Sequence, residues 1–154
     1  MKLQNNISEK CGCIAKYLTD SVSIAPLVTF RIVFGLMMVF STIRFMYLGW
    51  IEDHYLEPIF HFKYFGFYWV KVLPEFWMYL IHYIMLVAAV GITLGGFYRI
   101  STIVFFLLFT YTELIDITYY LNHYYFVSIV SMLLIFLPAN RYFSLDVLRH
   151  PSTY

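Results

Sequence analysis

The sequence predicts an all-α integral membrane helical bundle, with about four transmembrane helices and an interfacial, aromatic-rich cap. Three observations carry that prediction. Hydrophobic residues fill 62% of the 154 positions and charged residues 12%, a balance too apolar for a soluble domain of this size. The apolar residues fall in runs of roughly 20, the length that a helix rising 1.5 Å per residue needs to cross a hydrocarbon core of about 30 Å. Aromatic residues reach 22% and gather near the ends of those runs, where amphipathic rings favour the headgroup layer.

In chain order, residues 1–23 read as a polar cytoplasmic tail carrying Lys2, Lys10 and Lys16, because no apolar core with a small-residue cleavage site follows directly. Cys11 and Cys13 are too few and too close for a disulfide framework or a tetrahedral zinc site, and read as free thiols. The first span runs from Ile24 to about Leu48. Arg31 interrupts it one and a half to two turns in, as a side chain snorkelling to the interface or as half of a buried ion pair.

The connection from Gly49 to Glu75 interleaves Trp50, Tyr55, Phe60, Tyr64 and Trp69 with Glu52, Asp53, Glu57, Lys63 and Lys71. Aromatics spaced by charges suit a segment lying in the membrane surface, and Pro58 and Gly66 divide it into short pieces. It is expected to be a partly helical, re-entrant or interfacial cap. Phe76 to Phe97 forms the second span, stopped at Gly95-Gly96. Ser101 to about Ile117 forms the third, and Tyr124 to about Pro138 the fourth. The tight Gly-Gly turn makes spans two and three an antiparallel pair. Residues 149–154 are a second tail.

An even number of spans puts both termini on one side. Lys2, Lys10, Lys16, Arg99, Arg141 and Arg149 fall there, against Arg44, Lys63 and Lys71 opposite, which marks the terminal side as cytoplasmic. The cap, His82 and the stretch from Glu113 to His123 then converge on the external mouth. A net charge of +1 offers no basic surface for phosphates, which argues against a nucleic-acid partner.

Several polar residues at that mouth are candidates for chemistry. Glu113 and Asp116, three apart, would share a helix face and a partly desolvated site, or else face water together at a wet helix end. His82 fits a neutral histidine bonded to a neighbouring helix more economically than a chemical role. Asn122-His123 opens the fourth span, where Asn caps helices well and His suits the interface. Lys63 reads as a headgroup contact. His54, His61, His82, His123 and His150 are scattered, and no metal-ligand spacing, nucleophile elbow or phosphate loop is present.

A resemblance adds to this reading. The ordered segments Phe30-Arg31-Ile-Val-Phe34-Gly35, Tyr55-Leu-Glu-Pro58 through Gly66, Trp77-Met-Tyr-Leu80, Gly91-Ile-Thr-Leu-Gly95, Tyr98-Arg99-Ile-Ser101, Asp116-Ile-Thr118, Asn122-His123 and Ala139-Asn140-Arg-Tyr142-Phe-Ser144-Leu-Asp146 closely resemble the vitamin K-dependent gamma-carboxylases, with the cap like that of bacterial members. The series covers roughly residues 23–148. It is similar to the N-terminal part of their HTTM (horizontally transferred transmembrane) domain, here taken as residues 24–148.

That resemblance implies oxygen-dependent oxidation of vitamin K hydroquinone, coupled to addition of carbon dioxide to a peptidyl glutamate, without a metal. The partners it implies are the bilayer, a lipid-soluble quinol and a glutamate-containing peptide or protein, in a bacterial inner membrane. Asn122 and His123 match the family's Asn-His pair, associated with the quinone and with support of the reaction, and Lys63 falls where the family's cap carries a basic residue. The family's quinol-deprotonating lysine lies on a further hydrophobic segment beyond the stretch matching Asn140 to Asp146. The expectation is therefore that residues 1–154 carry only part of such a carboxylase, and whether the chain is itself an enzyme stays open. Leu121 stands where animal members have a polar residue. Two alternatives accompany this reading. One is a non-catalytic quinone-binding or scaffold protein, and the other a proton-handling membrane subunit using His82, Glu113 and Asp116.

Overall fold

The computed structural model describes residues 23–149. The expectations for the polar tail with Cys11 and Cys13, and for residues 150–154, lie outside the described residues. Among the described residues the chain forms helices and no strands, with α1 Ala25–Tyr47, α2 Glu75–Leu94, α3 Tyr98–Glu113, α4 Asn122–Phe136 and the short α5 Leu145–Arg149. α1, with 23 residues, and α2, with 20, are long and apolar enough to cross a membrane, at about 34 and 30 Å. α3 and α4, with 16 and 15 residues, span about 24 and 22 Å as regular helix.

The helices pack in sequence, α1 on α2, α2 on α3 and α3 on α4. One apolar core draws on all four: Phe34 and Met38 from α1, Met85 and Ala89 from α2, Phe105 from α3, and Val130 and Leu134 from α4. Outside this core the helices remain apolar, with Leu36, Met37 and Phe40 on α1 and Phe76, Val87 and Leu94 on α2 exposed. A continuous apolar exterior of this kind matches hydrocarbon rather than water.

Small residues bring the first pair together. A Cβ on Gly35 would collide with the side chain and backbone of Thr93, so glycine sets how closely α1 approaches α2. α2 stops at Gly95, whose φ of 63° is left-handed, and the Gly96 N–H returns to the Gly91 carbonyl at 2.9 Å. This is a helix stop that glycine adopts without strain.

The turn at this end is closed by a polar latch. Arg31 is 0% exposed, and its guanidinium donates to the Ala139 carbonyl at 3.0 Å and the Phe143 carbonyl at 2.6 Å. Arg31 therefore does not snorkel, and its hydrogen bonds go to backbone carbonyls rather than to a carboxylate. Asp146 completes the latch by accepting from the Phe97 and Tyr98 N–H groups at 2.8 and 3.0 Å and from Asn140 Nδ2 at 3.1 Å. It thereby caps α3 from a distant part of the chain. Burial pushes its carboxyl up, but those donors and nearby Arg149 hold it below the usual aspartate range. The Tyr98 hydroxyl adds a bond to the Leu134 carbonyl at 2.7 Å, tying the start of α3 to the end of α4.

At the opposite end the cap consists of a π-helical turn, Glu52–Leu56, and an irregular stretch to Pro74. Ile51, Tyr55 and Val70 pack with Met78 and Ile115 in a second small core. Gly66, at φ 86°, allows the reversal in which the Phe67 N–H meets the Tyr64 carbonyl at 3.0 Å.

Candidate functional site

The loop from α3 to α4 is fastened to the cap by three polar contacts. The Ile117 N–H donates to the Phe62 carbonyl at 2.9 Å, Lys63 Nζ donates to the Ile115 carbonyl at 3.1 Å, and His61 Nδ1 lies 3.1 Å from Asp116 Oδ2. Asp116 also accepts from the Thr118 N–H and hydroxyl at 2.9 and 2.7 Å. Burial raises the Asp116 carboxyl, and the Thr118 and His61 contacts more than reverse this, leaving it below the usual range.

This geometry corrects the expectation that Glu113 and Asp116 share a helix face. α3 ends at Glu113, and Asp116 is extended at φ −144° and ψ 122°. Its short carboxylate gives the backbone a local alternative to further helix by capping the turn Ile117–Tyr119. The two acids consequently face different surroundings.

Glu113 and His82 do border a common space. It is a small cleft of about 30 Å³ lined in part by Thr42, Tyr55, Thr112 and Tyr124, with room for a water or two. His82, 2% exposed, places Nδ1 2.8 Å from the Met78 carbonyl and stacks on Phe45 at 5.4 Å. Its partner is thus a carbonyl of its own helix, one turn back, and not a neighbouring helix. On the cap side of the cavity, burial and then the Glu113 charge push the Tyr55 phenol up, so it stays protonated.

Two apolar grooves flank this cavity. The first, about 400 Å³, lies between α1 and α4 over a floor that includes Phe109. Its walls are Phe30, Val33, Met37, Phe126 and Val127, and its polar groups, Ser41, Arg44 and His123, gather at the cap end. Arg44 also lies over the Trp50 ring at 5.1 Å. The second groove, about 440 Å³, lies between α3 and α4 and is lined by Glu113, Thr110, Tyr64 and Tyr120 above Phe106 and Met132. Tyr124 separates the first groove from the cavity, and Glu113 separates the cavity from the second.

His123 therefore stands exposed at the end of the first groove, its ring edge-on to Tyr124 at 4.4 Å. Asn122 is the first residue of α4 and is exposed; the cap position belongs to Leu121, and no side chain caps this helix. Lys63 does not reach the groove, and sits with His61 and Lys71 in a basin of about 460 Å³ on the cap. Among the described residues no three His, Cys, Asp or Glu side chains converge to hold a metal ion.

Sequence reasoning placed Arg44 only as a charge in the topology, and it missed His61 and Thr110 as site residues. Arg44 was accessible in principle, since the last turn of α1 and the first of α4 share an end in any up-and-down bundle. The family model described as HTTM domain matches residues 20–154, a range containing every helix described above. No solved structure matches the chain.

Proposed function

The chain belongs to the HTTM-domain family, and on that premise we propose that it holds a lipid-soluble quinol for carboxylase-type chemistry in the membrane. The single observation that supports this most is the apolar α1–α4 groove, with His123 and Arg44 at one end. In this reading α3 and α4 also cross the bilayer, helped by the apolar residues flanking them, and both termini are cytoplasmic, in a bacterial inner membrane. The cap then lies on the external interface.

The groove suits an isoprenoid quinol such as vitamin K hydroquinone: its walls take an apolar chain, and its polar end takes a ring hydroxyl. When bound, the hydroquinone supplies, on oxidation by oxygen, the strong base that removes a glutamate γ-proton so that carbon dioxide can add. The chain's own contribution is orientation and electrostatics. His123 accepts or donates a hydrogen bond at a ring oxygen, according to its tautomer. Arg44 stabilises negative charge developing on that oxygen, in a site where low dielectric strengthens the attraction. Asn122, beside His123, faces outward, where an approaching glutamate-containing peptide would meet it. Phe109 and Val127 give the reacting end an apolar wall.

The test uses membranes carrying the protein expressed from its complete gene. Reduced vitamin K should drive incorporation of labelled carbon dioxide into a glutamate-containing peptide, and His123→Ala should lower it at least about tenfold, the scale of one lost catalytic hydrogen bond. Separately, vitamin K should quench tyrosine and tryptophan fluorescence of the purified chain less in His123→Ala and in Met37→Glu, which puts a charge in the apolar wall. Absence of incorporation with quenching intact would leave a quinone-binding protein without carboxylase activity; absence of both would overturn the proposal.

A further inference from the structure

The second groove carries charge of the opposite sign, and its occupant can be argued without reference to the quinol. Glu113 closes the cap end of the α3–α4 groove. Its carboxylate is half-buried, and no cationic side chain among the described residues stands against it. Lys63, on the cap, is committed to the Ile115 carbonyl. One turn back on the same face of α3, Thr110 Oγ1 is buried and has no hydrogen-bond partner. Ser128 adds a third oxygen from α4, and below these groups the walls are apolar, with Phe106, Ile129 and Met132.

A carboxylate withdrawn from water and an unpaired buried hydroxyl are both costly unless something supplies charge and donors. The missing group is small, cationic, rich in N–H donors and attached to an apolar chain. We propose that the α3–α4 groove is a binding site for a membrane lipid with a primary ammonium headgroup, the ammonium donating to Glu113 and Thr110 and an acyl chain descending past Phe106 and Met132. The ends of the two helices fix the polarity of this fit. Glu113 and Tyr120 lie at the cap end, where a headgroup resides, and Met132 lies toward the far end of α4, where chains reside. A quaternary ammonium has no N–H to donate to Glu113 or Thr110, and an anionic headgroup would face the carboxylate.

Native mass spectrometry of the purified protein, released from nanodiscs of equal phosphatidylethanolamine and phosphatidylglycerol with matched chains, tests this. The wild-type protein should retain the ethanolamine lipid about tenfold over the glycerol lipid, the value of one charge-assisted hydrogen bond. Glu113→Gln should bring that ratio close to one, and Thr110→Val should lower it a few-fold. Met132→Trp, which fills the lower groove without touching the carboxylate, should reduce retention while helicity is unchanged. A wild-type ratio near one, or a preference that survives both Glu113→Gln and Met132→Trp, overturns the assignment. Neither result bears on His123, whose groove lies on the other side of Tyr124.

Discussion

The two ends of the bundle use polar groups in opposite ways. At the end where α2 turns into α3, Arg31, Asp146 and Tyr98 are all engaged with backbone, and Asn140 bonds Asp146, across separations of up to 112 residues. At the cap end, Asp116, His61 and Lys63 are similarly engaged, but His123, Arg44 and Glu113 line open grooves. In a chain with so few charges, the engaged groups hold the fold, and on the proposed function those in the grooves serve ligands. The comparison therefore predicts that substitutions at the first end damage stability, whereas those in the grooves damage binding.

The largest expected effect is that of Arg31→Met. The change leaves the Ala139 and Phe143 carbonyls without their donor in a buried site, and should cost about 3 kcal/mol or more. Thermal unfolding in detergent would register it as a large fall in Tm. Gly95→Ala should follow, at about 1–3 kcal/mol, because a left-handed residue gains a Cβ that also runs into Arg31 and Ser144. His123→Ala should change Tm by less than about 0.5 kcal/mol equivalent, as expected for an exposed side chain, while weakening quinone binding. A strongly destabilised His123→Ala, or a fully stable Arg31→Met, would break the distinction between the ends.

How much of this was legible in the chain follows from the range of the interactions. The all-helical fold was readable, because apolar runs and glycine stops act locally: α1 and α2 fall within about three residues of the expected Ile24–Leu48 and Phe76–Phe97. The end of α3 was not. Hydropathy continues through Ile115 and Ile117, and the helix gives way there to the Asp116 contact with the Thr118 N–H and to the cap contacts of Ile115 and Ile117. The latch was equally hidden, since no local pattern pairs Arg31 with carbonyls more than 100 residues away. Of the site, His123 was reached through resemblance. Arg44 and Thr110 gained meaning only once the grooves fixed what they face, and the shared cavity of Glu113 and His82 came from helix packing that spacing cannot give.

The dependence of stability on acid separates the two ends most finely. Asp146 and Asp116 both titrate below the ordinary aspartate value, about 3.9. A carboxyl lowered on folding contributes stability that is present above that value and is lost as the pH falls through its folded value. The share of stability that these two carboxylates supply should accordingly hold steady from neutral pH to about 4 and decline below it. Asp146 caps α3, with 16 residues, whereas Asp116 caps the three-residue turn Ile117–Tyr119. Asp146→Asn keeps a capping oxygen but loses the charge, and should remove about 1 kcal/mol together with most of the acid-dependent decline. Asp116→Asn should remove less of both. An acid-dependent decline that persists in Asp146→Asn and vanishes in Asp116→Asn would mean that the cap end, not the latch, limits the stability of the bundle.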